Sequence, residues 1–177
     1  MKSKIVEIYT DGSCDNYITK AGSWAYIVVL DNKIIAERKE SESNTTSNRM
    51  EYKAFIASVL EHVNDYDELH IFSDSQLLVN TFNSWMHKWS LAKRAKRANL
   101  DLVEMLEIIY EQFGHKIKLQ WVRGHSGNVW NEYVDNLANG GVPNQNLIGS
   151  NASKLHKATP AFSIQGNSRQ ASFPIDN

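Results

Sequence analysis

Cysteine is nearly absent from this chain of 177 residues, which has Cys14 alone, and proline is scarce at three. A lone cysteine excludes an internal disulfide and a cysteine-built zinc site, and it fits a reducing cytoplasm. Any metal bound here must take oxygen or imidazole ligands. Long apolar runs are missing too. The longest uncharged one, Ala25 to Leu30, falls far short of the roughly 20 residues of a membrane span, and Met1 to Lys4 leads into strand-like sequence rather than a signal peptide. The expectation is a soluble intracellular protein with no membrane partner. Nor is charge of one sign in excess: 19 Lys and Arg stand against 20 Asp and Glu, so bulk charge neither advertises nor forbids a nucleic-acid partner. What is present is 42% hydrophobic residues, enough for one sizeable core in a length too short for two comfortable domains.

Strand signals come first. Lys4 to Thr10 is rich in β-branched and aromatic residues and stops at Asp11-Gly-Ser; Ser23 to Leu30 and Lys33 to Arg38 flank the turn Asp31-Asn32 and complete an antiparallel meander. A helix then starts near Asn48, a candidate cap with Glu51 three residues on, and buries Tyr52, Ile56, Val59, Leu60 and Val63. Glu68 to Ser73 is a short strand ending at Asp74. Ser75 to about Trp89 reads as helix with Leu78, Val79, Phe82, Trp85, Met86 and Trp89 apolar, followed by the basic cluster Lys93, Arg94, Lys96 and Arg97. A further helix from Asn99 or Asp101 carries Leu102, Leu106, Ile109 and Phe113 and ends at Gly114. Lys116 to Val122 is a fifth strand, Arg123 to Gly127 a loop, and a last helix precedes Gly140-Gly141. Strand, crossover helix and strand imply parallel pairing. The fold class is therefore α/β: a five-stranded mixed sheet, three antiparallel strands then two parallel, flanked by helices.

From residue 140 the composition turns to Asn, Ser, Gln, Gly and Pro. Its three basic residues and one acidic residue, taken from the totals, leave 16 and 19 over positions 1 to 139. The expected division is a domain over 1–140 and a polar tail over 141–177, flexible or loosely docked. Leu147, Ile148, Leu155, Phe162, Ile164, Phe173 and Ile175 could dock parts of it.

Four carboxylates stand where the topology could gather them: Asp11 and Asp74 at the ends of strands, Glu51 in the first helix and Asp135 in the last. Neighbouring parallel strands would hold Asp11 and Asp74 about 5 Å apart, where bare carboxylates repel unless a proton or cation intervenes. An all-oxygen set suits Mg²⁺ or Mn²⁺, and two such ions make a clamp for in-line phosphoryl displacement. Singly, each acid is more often a turn cap or a solvated helix residue; the joint pattern carries the hypothesis.

Four segments occur in order with fitting separations: Tyr9-Thr-Asp-Gly-Ser-Cys14, Thr45-Thr-Ser-Asn-Arg-Met-Glu51, Phe72-Ser-Asp-Ser-Gln76, and Trp121-Val-Arg-Gly-His-Ser-Gly127 with Asn131-Glu-x-x-Asp135. Over residues 4 to 140 this pattern resembles type 1 ribonuclease H, of RNase H-like fold. The resemblance implies an endoribonuclease that cuts the RNA strand of RNA-DNA hybrids with two Mg²⁺ ions, leaving 5′-phosphate and 3′-hydroxyl ends. It implies that Asp11 bridges both ions, that Asp135 completes the site for the ion activating water, and that Glu51 and Asp74 hold the other. His125 would assist water activation or product release. Cys14 and Asn16 would line the strand-binding groove, Ser47, Asn48 and Gln76 would reach the minor-groove side, Thr46 would help hold a DNA phosphate, and Trp85 would abut the DNA strand.

Core packing is the ordinary reading for Trp85 and Trp89, and it is preferred for Trp89. His62, His70, His87, His115 and His156 lack any motif context. Lys93, Arg94, Lys96 and Arg97 would grip phosphates as a shortened basic protrusion, against the alternative of a solvated helix face. Where many relatives carry a glycine-rich turn, this chain reads Asp15-Asn-Tyr-Ile-Thr-Lys-Ala-Gly22, so affinity or sequence preference should shift. Alternatives are a catalytically silent hybrid-binding module and another nuclease of the same fold. A monomer is the default, and no partner for the tail is indicated.

Overall fold

β-Branched and aromatic alternation builds β1 (Ile5–Cys14), with Val6 and Ile8 in one core and Tyr9 in another on the opposite face. The structure is a computed structural model and describes residues 3–142 and 144–154. Strand β2 (Gly22–Leu30) pairs antiparallel with β1 and with β3 (Lys33–Glu42). Asp31 and Asn32, at φ 50° and 57°, make the tight turn that the sequence implied. β4 (Glu68–Ser73) pairs parallel with β1, and β5 (Ile117–Trp121) parallel with β4. These five strands and their directions agree with the sequence reading.

The sheet nevertheless has six strands, in the order β5-β4-β1-β2-β3-β6. The sixth, β6 (Ile148–Lys154), comes from the segment read as tail and pairs parallel with β3 at Ile34↔Ile148, Ala36↔Ser153 and Glu37↔Lys154. Its Gly, Ser and Asn residues give no apolar alternation. It pairs on the edge of β3, where the backbone groups facing away from β2 are open to a further strand. Leu147 and Ile148 pack beside buried Ile34. The expectations for Leu155, His156, Phe162, Ile164, Phe173 and Ile175 lie outside the described residues.

Helix α1 (Ser47–His62) covers one face with α2 (Gln76–Asn83) and α4 (Leu100–Phe113); α5 (Val129–Ala138) covers the other. Three details differ from expectation. Thr46, not Asn48, caps α1 by accepting the Arg49 amide on its hydroxyl, so Glu51 is no capping-box residue and is free for the site. β1 runs past Asp11 to Cys14, because β2 continues to pair with it after β4 has ended at Thr10↔Ser73. The helix expected from Ser75 to Trp89 breaks at Ser84 (φ −143°) and resumes as a 3₁₀ turn over Trp85–Lys88. Asn83 Nδ2 is drawn off to the Leu119 carbonyl at 2.9 Å, and the His87 ring meets the Phe82 carbonyl at 2.9 Å. The basic stretch forms the short helix α3 (Leu91–Arg94).

Candidate active site

The parallel register Thr10↔Ser73 makes Asp11 and Asp74 the next residues on adjacent strands, side by side where the β1–β4 pairing ends. Glu51 arrives from α1, which crosses β1 so closely that a Cβ on Gly12 would lie 2.2 Å from the Glu51 backbone nitrogen. Only glycine admits that approach. Carboxylate oxygens of Asp11, Glu51 and Asp74 all fall within 4.8 Å of one another, a set that could hold a divalent cation. Asp135 flanks them from α5 and is felt electrostatically by both aspartates. The four acids singled out in the sequence are thus brought together, three in one cluster and the fourth at its edge.

Burial and like charge set the electrostatics. Asp11 is 5% exposed, and burial first, then Asp74 and Asp135, push its carboxyl up to about 7. Glu51 is raised well above the usual carboxylate range by burial, then by Asp11 and Asp74. Asp74 is raised as well, by burial first and then by Asp135, while Asn131 and His125 pull the other way. Among the described residues, Glu51 Oε2 is buried with no hydrogen-bond partner. An orphaned acceptor beside two other carboxylates is what a hard, oxygen-seeking cation would satisfy, so these residues fit a divalent metal.

The surrounding groups fix the acids. Trp121 Nε1 donates to the Asp74 backbone carbonyl at 3.0 Å, buried Asn131 donates to Asp74 Oδ2 at 3.5 Å, and a Cβ on Gly124 would meet that oxygen at 2.6 Å. His125 sits at φ 50° on the exposed loop before α5, its Nδ1 3.7 Å from Asp135 Oδ2. Asn139 Nδ2 donates to Asp135 Oδ1 at 2.7 Å. The sequence reading missed Asn139 and gave Asn131 no role. The available signal was spacing: residues 131, 135 and 139 recur every four positions and so share one face of α5.

Around this centre the remaining candidates form an arc. Asn16 pairs with Ser47 through Nδ2 to Oγ (3.1 Å) and Ser47 N to Oδ1 (3.3 Å), and Cys14 Sγ reaches the Thr45 carbonyl at 3.4 Å. Thr46, Asn48 and Gln76 are exposed, and Trp85 is 42% exposed, whereas Trp89 packs against the core. His62, His70 and His87 meet the Tyr26 hydroxyl, the Glu68 carboxylate and the Phe82 carbonyl, none of which belongs to the four acids. In the altered loop, Asp15 is turned inward on its own turn. It accepts the Tyr17, Ile18 and Thr19 amides at 3.1–3.2 Å, which leaves Tyr17 and Ile18 almost fully exposed at the tip.

The basic cluster is not uniform. Lys93 and Lys96 are exposed, and Arg97 lies over the Trp89 ring at 4.4 Å. Arg94 departs from the expectation of a free cation: its guanidinium grips Glu107 at 2.7 and 2.8 Å and reaches Glu104 at 3.3 Å. That fork ties α3 to α4.

Comparison with known proteins agrees with this geometry. The RNase H family model matches residues 3–142. Ribonuclease H of Campylobacter jejuni is 41% identical over 135 residues, spanning 76% of this chain and 89% of that protein. The crystal structure of LC9-RNase H1, a type 1 RNase H with the type 2 active-site motif, superposes with a TM-score of 0.63 at 27% identity, covering 80% of this chain and 75% of that one. LC11-RNase H1, solved in complex with an RNA/DNA hybrid, shares the fold at a TM-score of 0.60 and 17% identity, over 77% of this chain and 96% of that one. Sequence and architecture together carry one conclusion: the chain belongs to the type 1 ribonuclease H family of enzymes.

Proposed function

We propose that this protein hydrolyses the RNA strand of RNA-DNA hybrids in the cytoplasm, acting endonucleolytically with two divalent ions and leaving 5′-phosphate and 3′-hydroxyl ends. The observation that carries the reading is the convergence of Asp11, Glu51 and Asp74 within 4.8 Å, with Asp135 alongside. A hybrid as substrate is supported by LC11-RNase H1, which was solved with one bound.

Asp11 with Asp135 would hold one ion and Glu51 with Asp74 the other, Asp11 shared between them; Mg²⁺ is the natural occupant and Mn²⁺ a substitute. Bound there, the ions supply charge compensation for the attacking water and for the departing 3′ oxygen. The chain's own groups do the rest. His125, exposed at the rim, can carry a proton at Nδ1 beside Asp135 or ease product away. Cys14, Asn16, Ser47, Asn48 and Gln76 offer polar atoms to the 2′-hydroxyls and base edges of the minor groove, the feature that tells an RNA strand from DNA. Thr46 and Lys93, Lys96 and Arg97 take backbone phosphates, and Trp85 abuts a sugar of the DNA strand. The catalytic unit is residues 1–140, acting as a monomer.

The test is cleavage of a labelled hybrid beside single-stranded RNA, double-stranded RNA and double-stranded DNA, in Mg²⁺, Mn²⁺ and EDTA. Cutting confined to the RNA of the hybrid and abolished by EDTA is expected. Binding without cutting by the folded protein would make it a silent hybrid-binding module instead.

A further inference from the structure

The fourth acid, Asp135, stands at the edge of the three-carboxylate cluster, and its orientation is set by a relay outside the family motifs. We infer that Asn139 is a positioning residue that orients Asp135 by holding its Oδ1, and that Ser13 locks Asn139 in that role. The inference rests on the divalent-metal reading of the site.

Asn139 lies one helical turn beyond Asp135, so its side chain stacks over the same face of α5. Its Nδ2 donates to Asp135 Oδ1 at 2.7 Å and to the Asp135 carbonyl at 2.9 Å. Its Oδ1 accepts the hydroxyl of Ser13, two residues beyond Asp11 on β1. A single amide therefore links the strand that carries Asp11 to the helix that carries Asp135. The nitrogen must face Asp135, whose carboxylate and carbonyl oxygens only accept, whereas the Ser13 hydroxyl serves either end of the amide; a flip would therefore break both bonds to Asp135. The helix end itself is clamped: Ser23 donates its hydroxyl to the Ala138 carbonyl, and Gly141 N returns to the Asn136 carbonyl at 2.7 Å after Gly140 at φ 79°.

With Oδ1 held, Asp135 presents Oδ2, the oxygen that stands 3.7 Å from His125 Nδ1. The neutrality of the amide matters. A lysine or arginine at position 139 would fix the carboxylate equally well but would offset its charge and compete with a cation, whereas an amide holds it and leaves the charge available. Ser13 and Asn139 also line an open groove of about 510 Å³ rather than the core, so either can be trimmed without leaving a buried void.

The experiment is a double-mutant cycle between Asn139→Ala and Asp135→Asn, with Ser13→Ala as an independent cut of the relay. Two quantities are read: the Mn²⁺ concentration that gives half of the metal-induced rise in thermal midpoint, without substrate, and kcat and KM on a hybrid. In the wild-type background Asn139→Ala should raise the half-stabilising Mn²⁺ concentration and lower kcat by about ten- to a hundredfold, with KM for the hybrid unchanged. Ser13→Ala should do the same to a smaller degree. In the Asp135→Asn background Asn139→Ala should add nothing, because the group it orients is gone. Equal effects in both backgrounds would mean general structural support and overturn the inference, as would no effect of Asn139→Ala in a wild-type enzyme that responds to Mn²⁺ and cuts the hybrid. Should the alanine variant fail to fold, Ser13→Ala carries the same comparison. A wild-type protein that neither responds to Mn²⁺ nor cuts would overturn the metal reading itself, a result distinct from either.

Discussion

Asp11→Asn should kill cleavage and yet stabilise the metal-free protein. The substitution removes one charge at nearly constant shape from a site where burial and the facing Asp74 and Asp135 push the Asp11 carboxyl up to about 7, against an ordinary 3.8. The folded state therefore holds a proton that the unfolded chain releases. Below about pH 4 the group is protonated in both states and costs nothing; between about 4 and 7 the unfolded chain ionises first and stability falls; above about 7 the full penalty stands. Roughly three pK units at about 1.4 kcal/mol each give about 4 kcal/mol. Asparagine escapes this penalty but buries an amide with an incomplete set of partners, which returns about 1–3 kcal/mol. The net gain in EDTA near pH 8 is about 1–3 kcal/mol, and each kcal/mol moves the midpoint by about 2–4 °C in a domain of this size. Near pH 4 the variant should instead be the less stable of the two, because the wild-type penalty is gone there while the cost of the buried amide remains. Saturating Mg²⁺ should reverse the order, because binding stabilises the wild type while the variant has lost a ligand. Thermal unfolding followed by circular dichroism near pH 4, 6 and 8, with EDTA or Mg²⁺, reads all of this. A variant no more stable than wild type in EDTA near pH 8 would refute the account of the site as a cluster of confined like charges.

His125→Ala should slow turnover by about ten- to a hundredfold with the fold intact, a smaller loss than removal of any of the four acids; equal inactivation in a steady-state assay would make the histidine essential. Replacing Lys93, Lys96 and Arg97 with alanine should raise KM, spare kcat and flatten the dependence of log affinity on log salt by about 0.9 for each phosphate no longer neutralised, and an unchanged slope would return them to a solvated helix face. Arg94→Ala should leave that slope alone and reduce stability by up to about 1 kcal/mol in chemical denaturation, since its guanidinium is spent on Glu107 and Glu104 in a partly screened ion pair. Gly12→Ala drives a Cβ into the backbone of α1 and should cost about 3 kcal/mol or more, or prevent folding, as judged by circular dichroism. Ending the chain at Gly141 removes β6 together with Leu147 and Ile148 and should lower stability by about 1–3 kcal/mol in urea while kcat persists; unaltered unfolding would show that the sixth strand contributes little.

What could be read from the sequence was whatever local chemistry dictates. β-Branched alternation, the Asp31-Asn32 turn and the apolar stripes of α1 and α4 are each decided within a few residues, and they set the order and direction of five strands. The four acids were legible because strand ends and motif spacing mark them. Features decided by distant partners were not. β6 is polar and pairs on the edge of β3. The helix break falls at Ser84, next to Asn83, whose side chain bonds to β5 across 36 positions. Arg94 reads as one of four equivalent cations until α4 is folded beside it. Asp15 reads as an added charge near an anionic substrate, but its carboxylate caps its own turn.

The same division explains how four like charges come to share one small volume. Repulsion among Asp11, Glu51 and Asp74 opposes folding, so their approach must be imposed by structure that does not involve them. The imposing contacts are the β1–β4 register, fixed by the core residues Val6, Ile8, Leu69 and Ile71, and the crossing of α1 over Gly12, fixed by Met50 and Phe55 beneath it. Neutral amides then hold the carboxylates in place without quenching them: Asn131 on Asp74 and Asn139 on Asp135. A lysine or arginine in those positions would relieve the repulsion and with it the affinity for a cation. The site is thus kept under electrostatic tension by a core that can bear it, and the tension is a standing preference for divalent metal. That preference makes a measurable link between pH and metal: ion binding near pH 6, where Asp11 and Glu51 retain protons, must release protons, and the share that comes from Asp11 must shrink as pH rises above about 7. Calorimetric titration with Mg²⁺ in two buffers of different ionisation enthalpy would report it, and pH-independent binding with no proton release would contradict the argument.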